Sequence, residues 1–113
     1  MLPLHPRTRD AAARFSVRLD ALTVIEPVGY LDMTRLVADA AEVLTDSGGL
    51  QKEAYFHRVP CVTLRAETEW VETVTHGWNR LWDTDGYAER RPIDDYGAGD
   101  AAGRIRDLIL ARG

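Results

Sequence analysis

The sequence predicts an α/β fold in which a Rossmann-like parallel sheet is flanked by helices. Short apolar segments rich in β-branched residues recur at positions 2–4, 22–25, 43–45 and 61–64. Stretches with helical periodicity, each roughly ten residues long, separate these segments. Strands that alternate with helices of this length are typical of βαβ units, whose parallel strands are covered by helices on both faces. At 113 residues, the chain has the usual length of one domain with one core.

The first strand of this pattern is unusually short. Only residues 1–4 precede His5 and Pro6, whereas a doubly wound sheet normally begins with a complete strand and helix. We therefore expect that the first strand is clipped and that part of a larger domain is missing. A helix over residues 8–19 is predicted to lead to the strand at 22–25.

The middle of the chain predicts further alternation of helices and strands. Asp32 is expected to be the N-cap of a helix over residues 31–41. The buried stripe of this helix has the spacing i, i+3, i+4, i+7 and consists of Met33, Leu36, Val37 and Ala40. Two more helices are predicted at 49–57 and 69–76. Pro60 is expected to lie between the first of these and the strand at 61–64, because proline cannot continue a helix.

The C-terminal part predicts a long loop and a final helix. Residues 80–99 are rich in Asp, Gly and Pro, with one short strand expected around Leu81 and Trp82. The segment 101–112 places Ile105, Leu108 and Ile109 on one helical face, so we expect a C-terminal helix that docks on the sheet.

The composition argues against several classes of partner. A net charge of −4 and a pI near 5.3 argue against nucleic acid, because phosphate-backbone binding needs a basic surface. The single cysteine, Cys61, cannot form an internal disulfide, and no Cys/His spacing predicts a metal site. The chain has neither an apolar stretch of about 18 residues nor a signal-peptide core. We therefore expect a cytoplasmic protein with no membrane partner.

The segment 43–54 is the most informative part of the sequence. It runs from an apolar strand through Ser47, Gly48 and Gly49 into a predicted helix start, where free backbone N–H groups and the helix dipole favour phosphate. Glu53 follows about one helical turn beyond the glycines. Its carboxylate could accept hydrogen bonds from a sugar diol. The same residues also suit a plain strand-to-helix turn, with Glu53 in solvent, and the segment alone leaves both interpretations open.

Six segments together carry a family resemblance. They are 4–9 (LHPRTR), 26–31 (EPVGYL), 44–54 (LTDSGGLQKEA), 60–65 (PCVTLR), 68–74 (TEWVETV) and the weaker 96–102 (YGAGDAA). In this order they resemble the C-terminal half of the non-hydrolysing UDP-N-acetylglucosamine 2-epimerases, including relatives that act on diacetamido-uronic acid sugars. The resemblance implies a GT-B architecture of two Rossmann-like halves. Residues 1–113 would then be a single, truncated C-terminal nucleotide-sugar-binding domain.

The resemblance also implies roles for individual residues. Ser47, Gly48 and Gly49 would hold the diphosphate, Glu53 would accept from the ribose hydroxyls, and Arg65 would contact the phosphates. His5 would approach the β-phosphate and assist the departure of UDP. The uracil pocket would be lined by Tyr30 and Met33, Arg7 would belong to a regulatory nucleotide-sugar site, and Glu69 and Glu72 would support Arg65 and the cleft wall.

The activity implied by the resemblance is C2 epimerisation of a UDP-N-acetylhexosamine, by elimination and re-addition of UDP, without NAD or metal as cofactor. Such an isomerase would supply precursors of cell-envelope polysaccharide. The acid and base carboxylates of the family come from the N-terminal half, so we expect this chain alone to bind UDP at most. Three alternatives stay open: a subunit of a split epimerase with a separately encoded N-terminal half, a non-catalytic module that forms a homodimer, and a GT-B glycosyltransferase fragment.

Overall fold

The computed structural model describes residues 1–112 and confirms an α/β fold of parallel strands and flanking helices. Two compact units follow one another along the chain, Met1–Leu36 and Val37–Gly113. No helix in the described part of the chain is both long and apolar enough to cross a membrane.

The first unit contains a small βαβ motif. Strand β1 (Leu2–Pro3) pairs in parallel with β2 (Val24–Ile25), and helix α1 (Pro6–Arg14) lies between them in sequence. Leu4, at the end of β1, donates its amide to the carbonyl of Ile25 at 2.9 Å and is buried. Parallel pairing of such short strands is what the alternation of apolar segments predicts.

Several expected boundaries are wrong, and among them the helix expected over residues 31–41 ends at Ala38. Helix α1 ends at Arg14 rather than at 19, because Ser16 adopts a left-handed φ of 54° that cannot continue a helix. Helix α2 (Tyr30–Ala38) begins before Asp32, and its amide ladder starts with Met33 donating to the carbonyl of Gly29 at 2.9 Å. Asp32 therefore lies in the first turn, where a carboxylate still complements the helix dipole, and is not the N-cap.

The second unit is built on a three-stranded parallel sheet in the order β3–β4–β5. Its strands are β3 (Val43–Thr45), β4 (Cys61–Thr63) and β5 (Asn79–Leu81). Thr45 is opposite Thr63, and Thr63 is opposite Leu81. Helix α3 (Gly48–Phe56) connects the first two strands. Pro60 directly precedes β4, as predicted, and its carbonyl accepts from the amide of Val43 at 2.9 Å.

The core of this unit is small and aliphatic. It consists of Val37, Val43, Ala54, Val59 and Cys61, with Ala40 and Leu50 packed against it. Helix α4 (Val71–Thr75) is shorter than the predicted 69–76, because the hydroxyl of Thr68 accepts from the amide of Trp70 at 3.1 Å and holds this residue outside the helix.

The last helix has the predicted bounds but not the predicted packing. After a short 3₁₀ turn at Asp94–Tyr96, helix α5 spans Ala101–Arg112. All its residues are exposed, including Ile105, Leu108 and Ile109, so the expected docking on the sheet is wrong. A periodic apolar stripe indicates that a helix has an apolar face, but it does not specify which surface covers that face.

Candidate functional site

Ser47 begins the candidate site at the carboxyl end of β3. Its backbone is extended (φ −83°, ψ 126°), and it is the N-cap of α3, where its Oγ accepts from the amide of Leu50 at 3.5 Å. Its own amide donates to Thr45 Oγ1 at 3.0 Å. An extended serine after an apolar strand is the usual way to start a helix, which is why this sequence turns here. The hydroxyl of Ser47 thus already serves an internal cap.

The next two residues leave their amides unused. Within residues 1–112, no group accepts a hydrogen bond from the N–H of Gly48 or Gly49. Both amides belong to the first turn of a nine-residue helix, where the macrodipole is equivalent to about +0.5 of an elementary charge. The turn therefore offers two backbone donors and a positive potential to an anion.

Arg65 occupies the matching position on the neighbouring strand. It lies two residues beyond Thr63, as Ser47 lies two residues beyond Thr45, and these threonines are partners in the parallel register of β3 and β4. The carboxyl ends of parallel strands meet at one edge of a sheet, where open α/β sheets bind their ligands. The structure therefore brings Arg65 to the same edge as the α3 turn.

Glu69 is the ion-pair partner of Arg65. The guanidinium Nη1 lies 3.1 Å from Glu69 Oε2, and the side chains are 39% and 49% exposed. A pair this open to water contributes about 0.2–1 kcal/mol, so it orients Arg65 without immobilising it. This contact agrees with the supporting role that the resemblance implies for Glu69.

Gly48 is in close contact with the segment that carries Glu69. A Cβ at position 48 would collide with Glu69 Oε1 and lie 3.1 Å from Trp70 Nε1. A glycine is therefore required here for close approach, while its φ is not in the left-handed region. The Trp70 Nε1 atom is buried and has no hydrogen-bond partner among the described residues.

A buried polar network holds this segment in place. Gln51 Oε1 accepts from Thr68 Oγ1 at 2.6 Å and from Asn79 Nδ2 at 3.0 Å. Asn79 Nδ2 also donates to Thr73 Oγ1 at 3.1 Å, while its Oδ1 accepts from Thr63 Oγ1 at 2.8 Å. Gln51 Nε2 is buried without a hydrogen-bond partner among the described residues, while the bonds to Gln51 Oε1 and Asn79 join four elements in one connected network. The network therefore ties the segment before α4 to α3 and to two strands.

Sequence reasoning missed this network. Gln51 is 1% exposed and Thr73 fully buried, although polar residues are normally found at the surface. One signal was present, since Gln51 lies one helical turn from the apolar Ala54 and Tyr55 and so shares their inward face.

Lys52 packs against the site wall, by which we mean the segment 68–70 that lies beside Gly48. Its Nζ lies 4.4 Å from the ring centroid of Trp70 and 4.8 Å from that of Tyr96. The Tyr96 hydroxyl donates to Glu72 Oε1 at 2.6 Å, and this hydrogen bond is the main cause that lowers the pKa of Glu72. Cation–π and hydrogen-bond contacts therefore join α3, the start of α4 and the 3₁₀ turn. Trp70 therefore packs between these elements.

Glu53 is the uncommitted carboxylate of α3. It lies five residues after Gly48 and is partly exposed. Its side chain makes no hydrogen bond or ion pair with residues 1–112. The structure therefore leaves its acceptors free for a hydroxyl-bearing ligand, without testing the ribose role.

The remaining predicted site residues belong to the first unit. His5 is the N-cap of α1, where its Nδ1 accepts from the amide of Arg7 at 3.3 Å, and both residues are exposed. Tyr30 is 70% exposed and Met33 is partly exposed, three residues apart at the start of α2. The structure thus groups His5 with Arg7, and Tyr30 with Met33, within this unit.

A family model described as UDP-N-acetylglucosamine 2-epimerase matches residues 1–110. A UDP-N-acetylglucosamine 2-epimerase homolog from Methanococcus maripaludis is 55% identical over 72% of this chain and 24% of its own length. The UDP-2,3-diacetamido-2,3-dideoxy-D-glucuronate 2-epimerase of Pseudomonas aeruginosa is 46% identical over 96% of this chain and 34% of its own length.

Solved structures give the same result. The UDP-GlcNAc 2-epimerase of Methanocaldococcus jannaschii superimposes with a TM-score of 0.79 at 36% identity, over 97% of this chain and 35% of that protein. The same enzyme in complex with UDP-GlcNAc and UDP superimposes with a TM-score of 0.70 at 34% identity, over 96% of this chain and 34% of that protein. The chain thus spans at most about a third of the length of these relatives.

Proposed function

Because this chain belongs to the UDP-N-acetylglucosamine 2-epimerase family, we propose that it is the UDP-binding, C-terminal domain of an isomerase that inverts C2 of a UDP-N-acetylhexosamine. The observation that carries this proposal is the α3 turn, where the amides of Gly48 and Gly49 have no partner among residues 1–112, at the edge of the sheet that also bears Arg65. Two backbone donors, a helix dipole and a guanidinium together match the charge and acceptors of a diphosphate.

The ribose is assigned to a residue next to this turn, and the base is assigned to residues of the first unit. Glu53, one turn along α3, accepts from the ribose 2′- and 3′-hydroxyls, and its lack of an internal partner supports this role. The exposed ring of Tyr30 and the thioether of Met33 provide the apolar surface for uracil. A related enzyme solved with UDP-GlcNAc and UDP supports a uridine nucleotide as the ligand.

His5 assists the departure of UDP in this proposal. Its Nε2 stays free while Nδ1 accepts from the amide of Arg7, so one ring nitrogen can donate to a β-phosphate oxygen and neutralise developing charge. Arg7, exposed in the first turn of α1, contributes to a second nucleotide-sugar site with a regulatory role.

Turnover requires more than these residues supply. Removal and return of the C2 proton need an acid/base pair in a closed site, and the resemblance places both carboxylates in the N-terminal half of the family. We therefore expect these 113 residues to bind UDP without epimerising a UDP-N-acetylhexosamine, since they would lack the acid/base pair. The product serves cell-envelope polysaccharide synthesis in the cytoplasm.

Calorimetric titration of the purified chain with UDP tests the nucleotide site. Glu53→Gln is expected to lower UDP affinity about ten- to hundredfold, since hydrogen bonds to a charged acceptor are worth about 1.5–3 kcal/mol. Glu89→Gln, an exposed glutamate elsewhere, is the matched control and should leave affinity unchanged. Absence of UDP binding, or equal affinity in the Glu53 and Glu89 variants, would contradict the assignment.

Turnover and assembly are measured separately. Incubation of the pure chain with UDP-N-acetylglucosamine should give no C2 epimer by proton NMR, and any epimer formed would refute the need for a second half. Light scattering coupled to size exclusion distinguishes a homodimer from a monomer.

A further inference from the structure

Glu69 lies where an anionic ligand of the α3 turn would lie. Its Oε1 contacts Gly48 so closely that a Cβ there would collide with it, while its Oε2 is 3.1 Å from Arg65 Nη1. One carboxylate therefore touches both the first residue of the helix and the nearby guanidinium. These are two of the groups that a diphosphate would use in the proposed site.

Glu69 Oε1 lies close to Gly48 without accepting a hydrogen bond from it. No acceptor among residues 1–112, Glu69 included, takes the N–H of Gly48 or Gly49. A negative charge near these amides lowers the local positive potential, and it also neutralises Arg65. The carboxylate thus lowers the positive potential of the turn, while the amides of Gly48 and Gly49 keep no acceptor among residues 1–112.

We propose that Glu69 is an internal competitor for the anion site, and that a diphosphate must displace its carboxylate from Gly48 and Arg65 in order to bind. This inference rests on the proposed nucleotide site, and it adds that the Glu69 side chain regulates the affinity of this site for its ligand. Displacement frees the guanidinium for the ligand and removes a like charge from the turn. The resting chain therefore binds the diphosphate more weakly than its donors alone would allow.

The surroundings permit this exchange by side-chain rotation alone. The residues on either side of Glu69 are anchored, Thr68 to Gln51 Oε1 at 2.6 Å and the Trp70 ring to Lys52 Nζ at 4.4 Å. The Glu69 side chain itself is 49% exposed, so a displaced carboxylate enters water without a burial cost. The backbone of the site wall can stay in place while one side chain moves.

The test compares two isosteric substitutions in the same loop. Glu69→Gln removes the competing charge, and Glu67→Gln removes an exposed charge two residues away, so both variants have the same net charge. Calorimetric titration with UDP and, separately, with inorganic pyrophosphate is expected to give Glu69→Gln roughly five- to tenfold higher affinity than the parent chain. Glu67→Gln should stay within about twofold of the parent.

The outcomes separate this inference from the function it rests on. If the parent binds UDP and Glu69→Gln binds it equally or more weakly, Glu69 only holds Arg65 in place and the inference is overturned. If UDP does not bind but pyrophosphate prefers Glu69→Gln, the nucleotide assignment fails and the competition stands. If neither UDP nor pyrophosphate binds to any variant, the proposed nucleotide site and the competition by Glu69 are both overturned. If Glu69→Gln does not fold, Glu69→Ala is measured instead. If neither variant folds, Glu69 has a structural role and the inference is overturned.

Discussion

Asn79 Nδ2 donates a hydrogen bond to Gln51 Oε1 at 3.0 Å, and both residues are only 1% exposed. The bond joins β5 to α3 across 28 residues of sequence. Gln51 in turn accepts from Thr68, which positions the Glu69 and Trp70 segment beside Gly48. The geometry of the site wall therefore depends on a side-chain contact inside the protein.

Asn79→Ala is expected to destabilise the chain by about 3 kcal/mol, because it leaves buried partners such as Thr63 Oγ1 without their hydrogen bonds. The measurement is the free energy of unfolding from urea titration followed by circular dichroism. Asp85→Ala, at an exposed position, should change this free energy by less than about 0.5 kcal/mol. Equal stability of the two variants would show that the network contributes nothing.

The alternation of apolar segments was enough to predict two of the three strands of the second unit, whereas the third, expected around Leu81 and Trp82, spans Asn79–Leu81. Val43–Thr45 was predicted with its observed bounds, and Cys61–Thr63 with one extra residue, because both are short β-branched runs between clear helix or proline signals. The turn at Ser47 was also predicted, since cap and glycine preferences act over a few residues. Local physics therefore accounts for where the chain turns.

Contacts between residues far apart in the chain could not be predicted from the sequence pattern. The close approach of Glu69 to Gly48 depends on how the loop after β4 folds back over α3, which no spacing encodes. The prediction that α5 docks on the sheet was wrong for a related reason. The apolar stripe that includes Ile105 is exposed, and periodicity does not identify the surface that would cover it. The ligand roles of Ser47, Glu53 and Arg65 stay predictions until binding is measured.

Substitutions of Ser47 separate capping from ligand binding. Ser47→Ala should lower stability by about 1 kcal/mol through loss of the bond from the Leu50 amide, whereas Ser47→Gly should lower it by only a few tenths, since glycine is a tolerated N-cap. Both variants lack the hydroxyl, so both should lose UDP affinity to a similar extent if Oγ contacts phosphate. Urea unfolding measures the stability of each variant, and calorimetry measures its affinity for UDP. Unchanged UDP affinity in Ser47→Gly would restrict the hydroxyl to a structural role.

Tyr96→Phe tests the acid dependence of stability. The Tyr96 hydroxyl holds the pKa of Glu72 below 4.5, its value in the unfolded chain, so this pair stabilises the fold above that pH and the contribution is lost as the pH falls through the folded pKa. Tyr96→Phe keeps the ring contacts but removes the hydroxyl. It should therefore be less stable than the parent at neutral pH, and the difference should narrow at pH ~3, where more of Glu72 is protonated. Urea unfolding at both values gives the comparison, and a stability difference that is the same at both would contradict it.

Cys61 provides a reporter of opening in the second unit. Burial raises the pKa of its thiol to about 11, and the residue is 1% exposed, so it should not react with a thiol reagent at pH ~8 while the chain is folded. In urea, reaction should follow the unfolding transition. Saturating UDP should slow the native-state reaction, because a ligand that binds only the folded chain reduces the open population by mass action. Immediate reaction of the native chain would contradict the burial of this strand, and Cys61→Ala gives the blank for reagent bleaching.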